Sequence, residues 1–220
     1  LIAYQTAYLK TYHKEDFIAA TMSTELTNTS KLREFIEELK KLKIDIVKPS
    51  INKCFSDFKA IGGKIIYGLG AIKNVGFEAI SNIIKEREKN GIFKSFIDFI
   101  NRVNARDVNK LQLEGLVKAG VFDEFEKDRN KILNSIPKII QQIKNINDDK
   151  HNQQTNLFGN QENYLLDFEF LPSKPWQQKE MLSEEFKSIG FYLTNHPLNE
   201  FEDAFNHLNI KSYNQFYEND

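Results

Sequence analysis

Apolar residues recur along most of this chain at three- and four-residue intervals, with polar residues between them. That spacing puts one stripe of side chains on the buried side of a helix, and it predicts a mostly α protein. Tyr4, Ala7, Tyr8, Leu9 and Tyr12 predict a helix over 1–13, and Phe17, Ile18 and Met22 a second over 15–24. Leu32, Phe35, Ile36 and Leu39 fall at i, i+3, i+4 and i+7 of a third. Asn28, Thr29 and Ser30 offer its N-cap, and Lys40, Lys41 and Lys43 crowd its last turn, where they complement the helix dipole. A helix over 77–89 carries Ala79, Ile80, Ile83 and Ile84 and closes at Asn90-Gly91. Others are predicted from the box-like Ser95-Phe96-Ile97-Asp98 to Val103, over 107–118, over 128–146, which Pro137 should kink or divide, and over 176–190.

The pattern breaks after Pro49. Cys54–Ala60 and Lys64–Tyr67 read as strands, and Gly62-Gly63 between them supplies the positive φ of a tight turn, so one short β-hairpin is predicted. Asn147 to Gln161 is polar and predicts a flexible linker.

The chain has 220 residues, of which 40% are hydrophobic and 28% charged, an ordinary soluble composition. No apolar run approaches the roughly 18 residues of a membrane span. The single cysteine, Cys54, fits a reducing cytosol and reads as a buried filler. The chain begins Leu1-Ile2 in what reads as helix interior and ends without a stopping motif, so it is expected to be part of a longer protein. A formal net charge of −1 argues against a uniformly basic nucleic-acid binder. By region, however, residues 1–30 carry −1, residues 31–122 carry +7 and residues 123–220 carry −7. A positive middle of that size suits a polyanion.

The most informative stretch lies inside the positive block. Ile72-Lys73-Asn74-Val75-Gly76-Phe77 joins a glycine-punctuated turn to an amphipathic helix. The amides of such a turn and of the first helical residues have no partner within the helix, and the dipole behind them favours an anion. Ending the turn in Gly76 lets the backbone adopt strained dihedrals there and leaves room for another backbone to approach. This is helix-hairpin-helix logic, which grips the sugar-phosphate backbone without reading bases. A second copy is Leu113-Glu114-Gly115-Leu116-Val117-Lys118-Ala119-Gly120-Val121-Phe122, with Ala119-Gly120 as its small-residue turn. The candidate phosphate contacts are therefore Lys73, Asn74, Val75, Gly76 and Phe77 in one turn, and Lys118, Ala119, Gly120 and Val121 in the other. Lys59, Lys64, Lys85, Arg87, Lys94, Arg102, Arg106 and Lys110 could flank a phosphate path. Other templates fail. Gly68-Leu69-Gly70 does not complete GxGxxG, and Gly62-Gly63-Lys64 lacks the P-loop glycine and hydroxyl residue. The four histidines show no ligand spacing, and Asp167-Phe168-Glu169 is a poor candidate for a two-metal site.

Many of these segments, taken in order, resemble the bacterial DNA polymerase III alpha subunit family (DnaE type). Ala3-Tyr4-Gln5-Thr6-Ala7-Tyr8-Leu9-Lys10 resembles its Tyr-Gln-Thr-Ala-aromatic-Leu-Lys helix, and Pro49-Ser50-Ile51-Asn52 its Pro-x-Ile-Asn. Gly68-Leu69-Gly70-Ala71-Ile72-Lys73-Asn74-Val75-Gly76 is the most specific match. Phe93 to Phe99, Leu116 to Asp123, Gln153 to Gly159 and Glu184 to Leu198 continue it. Lys14 stands where the family often has Pro.

The resemblance implies outer fingers helices over 1–50 and a tandem helix-hairpin-helix domain over 51–146. It implies a flexible linker over 147–175 and, over 176–220, a C-terminal helical segment leading toward an OB fold. The fold class expected is a mostly α helical fingers segment plus tandem helix-hairpin-helix domain, with one short β-hairpin. Tyr4, Gln5 and Lys10 would lie on a fingers helix facing the nascent base pair. No catalytic or metal residue is expected here, because the family's palm aspartates, which hold Mg²⁺ for the parent polymerase, have no counterpart. No cofactor is expected in this stretch. The expected partners are duplex DNA (primer-template) and, through the parent protein, the sliding clamp and clamp loader, with no membrane and a cytoplasmic location. Two other readings remain open: a helical protein-interaction module of the replisome without DNA contact, and a helix-hairpin-helix repair enzyme.

Overall fold

A computed structural model describes residues 1–151, 168–208 and 210. Nine α-helices and one small sheet make up the described residues. The helices are α1 (Ile2–Tyr12), α2 (Lys14–Thr24), α3 (Thr29–Leu42), α4 (Phe77–Asn90), α5 (Phe96–Arg102), α6 (Lys110–Lys118), α7 (Arg129–His151), α8 (Gln178–Ile189) and α9 (Glu202–His207). The sheet holds β1 (Ile46–Val47), β2 (Lys59–Ile61) and β3 (Lys64–Ile66) in the order β1-β3-β2. The mostly α expectation holds, with a third strand added.

The strand reading is corrected in two ways. Cys54 to Phe58 is not a ladder strand: it makes one isolated parallel bridge, Phe55 with Gly68, and is otherwise held to α4. Arg87 of α4 donates one guanidinium nitrogen to the Ile51 and Cys54 carbonyls at 2.6 and 2.7 Å. In addition, β1 runs parallel to β3, with Ile46 opposite Ile65 and Val47 opposite Ile66. A two-residue strand carries too little pattern to be read from sequence, and its partner lies beyond the hairpin. The turn between β2 and β3 is as expected, with φ of 59° and 73° at Gly62 and Gly63.

Helix ends follow their local chemistry. The Asn28 side chain accepts from the Lys31 amide at the start of α3. At α6 the helix begins at Lys110 rather than 107, because Asn109 and Gln112 close a reciprocal capping box. Before α5, the Ser95 hydroxyl accepts from the Asp98 amide, but the Asp98 carboxylate reaches past the cap to the Lys94 amide, so the box is offset by one residue. Pro137 does not divide α7, which runs unbroken with Ile132, Ile136, Ile139 and Ile143 buried along one side. The helix also covers 147–151, which the sequence assigns to the linker. At the other end of the expected linker, Phe168 is buried, Phe170 packs on the core and the Leu171 amide donates to Ser135 of α7. The rest of the linker, 152–167, lies outside the described residues.

The core is continuous from α2 to the segment after α8. Its centre is aromatic. Phe99 of α5 lies 5.3 Å from Phe93, 5.9 Å from Phe96 and 4.9 Å from Phe122, ring centroid to centroid. Phe96 adds Phe122 and Phe170 at 5.1 and 5.3 Å. The cluster joins α5 to the loop that follows α6. Cys54 is fully buried, as expected of a filler, and burial pushes its thiol up to about 11. Because Phe99 is fully buried among three other rings, Phe99→Ala should cost about 3–5 kcal/mol. Chemical denaturation monitored by circular dichroism would show this as a lower midpoint at unchanged slope.

Candidate nucleic-acid interface

The turn before α4 presents backbone donors outward. Asn74 sits in the left-handed region at φ 64°, and Gly76 is the N-cap of α4 at φ −74° and ψ 131°. This corrects the expectation that Gly76 carries the strained backbone. Asn74 carries it, and Asn tolerates that region better than most residues. A side chain at Gly76 would meet the Gln112 amide nitrogen at 3.3 Å and the Ala79 Cβ at 3.9 Å. Within the turn the Val75 amide bonds back to the Ile72 carbonyl, and Ile80 donates to Gly76 as the first helical bond. The amides of Asn74, Gly76, Phe77, Glu78 and Ala79 have no partner among the described residues. Lys73, Asn74, Gly76 and Phe77 are exposed, whereas Val75 is buried beneath them and anchors the turn. These features make an anion cradle at a helix N-terminus, with one ammonium beside it. Glu78, exposed in the first turn, complements the dipole in the free protein and competes with an incoming anion.

The cradle is held from behind. Lys73 donates its backbone amide to the Ser188 carbonyl of α8 at 2.9 Å. Its own carbonyl lies so close to Gly115 of α6 that a Cβ there would be only 2.7 Å away. Gly115 is therefore the small residue that lets the turn rest on α6. The sequence reading used it only as part of the second copy.

The second turn is built differently. The Gly120 amide donates to Val117 and the Val121 amide to Leu116. Gly120 has φ 79°. Those bonds are the Schellman closure of α6, and Gly120 is the left-handed residue such a cap needs. Ala119 and Val121 are buried, at 1% and 0% exposure. A Cβ on Gly120 would overlap Arg129. Lys118 is turned toward Glu184 of α8, at 2.9 Å. The small-residue resemblance to the first turn is real, but its amides are spent on the helix cap and its lysine is held by Glu184 of α8. Lys118, Ala119, Gly120 and Val121 are thus not presented as a second cradle.

Behind that turn is a buried ionic cluster that the sequence reading did not anticipate. The Arg129 guanidinium makes a forked pair with Asp123, at 2.8 and 2.6 Å, donates to the Lys118 carbonyl at 2.9 Å and faces Glu185 at 3.6 Å. Glu185 has no exposed side-chain surface and accepts from the Leu193 amide, the Thr194 amide and the Thr194 hydroxyl. Its residues come from three separate stretches of chain, so no local motif announces it.

Several of the flanking cations are already engaged. Arg87 is buried against carbonyls, and burial lowers its basicity from the ordinary arginine value. Arg102 is shared by Glu86 and Asp98 at 3.1 Å each, and Lys64 pairs with Asp45. Lys59 lies over the Phe55 ring, 3.9 Å from its centroid. Lys73, Lys85, Lys94 and Arg106 form no ion pair among the described residues. On α1, Tyr4 and Gln5 are exposed, and Lys10 pairs with Glu38 of α3 at 3.1 Å. No group of three or more His, Cys, Asp or Glu side chains that could hold a metal ion is found among the described residues. No helix among them is long and apolar enough to cross a membrane.

Residues 43–132, from the end of α3 to the start of α7, match a family model described as a helix-hairpin-helix motif. Over 216 residues the chain is 38% identical to the DNA polymerase III subunit alpha of Borreliella burgdorferi, covering 96% of this chain and 19% of that protein. It is 37% identical to the Caulobacter vibrioides protein of the same name, over 90% of this chain and 17% of the relative. With the Thermus aquaticus protein of that name it shares 36% identity over 90% of the chain and 16% of the relative. The chain is homologous to a segment of DNA polymerase III subunit alpha. It spans less than a fifth of the length of these relatives. The homology covers nearly the whole chain, so it takes in α1 to α3 and α8 as well as the helix-hairpin-helix stretch.

One contact that holds the homologous segment together is sensitive to acid. Burial pushes the Glu184 carboxyl up, but hydrogen bonds from Lys187 and Lys118 and their positive charges outweigh it, and the net shift is below the ordinary glutamate range. A carboxylate stabilised in this way adds to folding at pH above its unfolded value, and the gain disappears as pH falls through the folded value. Denaturant titrations from neutral pH down into the acid range should show that loss, and Glu184→Gln should flatten that part of the profile.

Proposed function

We propose that this chain is part of a replicative DNA polymerase of the DNA polymerase III alpha type, and that its own task is to hold duplex DNA by its phosphates without reading sequence. The observation that carries this reading is the exposed turn before α4, where the amides of Asn74, Gly76, Phe77, Glu78 and Ala79 have no partner among the described residues, beside Lys73 and within the segment that matches the helix-hairpin-helix motif. Phosphate contacts of this kind fix the position of a duplex and make its affinity fall with salt. In this reading Lys73, Asn74, Gly76 and Phe77 touch the backbone, with Val75 as their anchor. Lys118 to Val121 set the position of α8 and do not themselves meet DNA. Tyr4 and Gln5 on α1 are available to the nascent base pair, and Lys10 orients that helix through Glu38. The parent enzyme extends a primer with Mg²⁺ held by residues outside this chain, in the bacterial cytoplasm, with the sliding clamp and clamp loader as partners.

Phe77 offers a direct test. It is the first residue of α4, where proline is well tolerated, and Gly76 before it is already extended, as a residue preceding proline must be. Phe77→Pro removes one cradle amide and keeps the helix, while Phe77→Ala removes the ring and keeps the amide. A hydrogen bond to a charged group is worth about 1.5–3 kcal/mol. Duplex affinity measured by fluorescence anisotropy should therefore fall roughly tenfold to a hundredfold in Phe77→Pro and stay within a few-fold in Phe77→Ala. Equal affinities in the two variants would remove the amide cradle from the mechanism. Salt-insensitive or absent binding would instead favour the protein-interaction module, which the second turn, with its lysine held by Glu184, also suits. A primed template incubated with the purified chain, deoxynucleotides and Mg²⁺ should remain unextended.

A further inference from the structure

A second recognition surface lies away from the α4 cradle, between α3 and the residues that follow α8. It is a groove of about 250 Å³ whose walls are Arg33, Glu37 and Lys40 on one side, with Glu37 paired to Arg33, and Phe186, Phe191, Tyr192 and His196 on the other. Three of the rings form a chain. Phe186 and Tyr192 are 4.9 Å apart, and Tyr192 and His196 are 5.0 Å apart in an edge-on arrangement. Phe186 is 40% exposed even though it is a large apolar side chain. The His196 Nδ1 accepts from the Leu198 amide, which places the ring proton on Nε2 as an outward donor.

The charge along the same helix is unbalanced. The carboxylates of α3 are taken up by neighbours, Glu34 by Lys31, Glu37 by Arg33 and Glu38 by Lys10. Lys40, Lys41 and Lys43 are exposed at its end and have no carboxylate partner among the described residues. The helix C-terminus offsets part of that charge. The rest stands uncompensated beside the exposed rings.

Aromatic faces beside unpaired lysines suit a strand whose bases are free to stack and whose phosphates are free to track the cations. We propose that this groove binds single-stranded DNA, one base entering against Tyr192 and Phe186 while the adjoining phosphates meet Lys40 and Lys41. The rings favour this occupant over a duplex, whose bases are already stacked on one another and offer no free face to Tyr192 and Phe186. The lysines favour it over an apolar peptide, which would cover the rings and leave the charges unused. This site does not depend on the duplex reading above, because none of its residues belongs to the α4 cradle.

The test uses the whole chain and a short fluorescent thymine oligonucleotide. Tyr192→Leu should weaken single-strand affinity roughly tenfold, as loss of one stacking ring does elsewhere, and leave duplex affinity unchanged. The surface pair Lys40→Ala with Lys41→Ala, which cannot unfold a core, should reduce the slope of log affinity against log salt by about 1.4. An iodouracil in the oligonucleotide should photo-crosslink to the peptide containing Tyr192. The proposal fails if the folded chain does not bind the oligonucleotide, or if both variants bind like the original. It also fails if single-strand binding is lost with Phe77→Pro instead, or if an apolar peptide occupies Tyr192 while the oligonucleotide does not bind.

Discussion

Glu185 is a carboxylate with no exposed side-chain surface, and the arrangement of both turns depends on how it is satisfied. An ionised carboxylate leaves water only when donors and a cation take over its hydration. Here the donors are the Leu193 and Thr194 amides and the Thr194 hydroxyl, with Arg129 as the cation. Meeting that requirement draws the chain after α8 back onto α8 and brings α8 against the start of α7. Arg129 is in turn pinned by Asp123 and by the Lys118 carbonyl, so the loop after α6 has little freedom of its own. One turn further along α8, the Ser188 carbonyl takes the Lys73 amide and fixes the first turn from behind.

The two turns show how similar sequence is put to opposite uses. In the first, the strained residue is Asn74, the glycine is extended, and the amides face outward unspent. In the second, Gly120 takes the left-handed position, and the amides close α6. A cradle for an anion needs donors that folding has left free, so the turn that caps its own helix cannot also be one. Glu184 of α8 also takes up Lys118, the cation the sequence would offer to a phosphate there. The same logic reduces the +7 of the central block. Arg87, Arg102 and Lys64 are committed to carbonyls or carboxylates, and Lys73 is one of the cations that remain unpaired among the described residues.

Much of the fold was legible because the relevant forces are local. The Leu32–Leu39 stripe, the Asn28 cap, the Gly62-Gly63 turn and the closing Gly91 each act within a few residues, and each appears as read. The errors arise where distant residues decide. β1 exists because β3 offers a free edge, Cys54 to Phe58 turns because Arg87 is waiting on α4, and α7 passes Pro137 because its isoleucine face is buried on both sides of it. Residues 168–171 lie on α7 because Phe168 and Phe170 find aromatic and aliphatic neighbours there, which a reading of polar composition could not foresee.

By itself the sequence determined the helical class, the position of the turn before α4 and the homology to the polymerase subunit, since periodicity, turn chemistry and ordered motifs are all written along the chain. Only the tertiary structure decided which turn keeps its amides free, which cations remain unpaired and which glycine does what. Hydrogen-bond capacity and charge are finite, and the partner that consumes each group is set by what folding brings beside it.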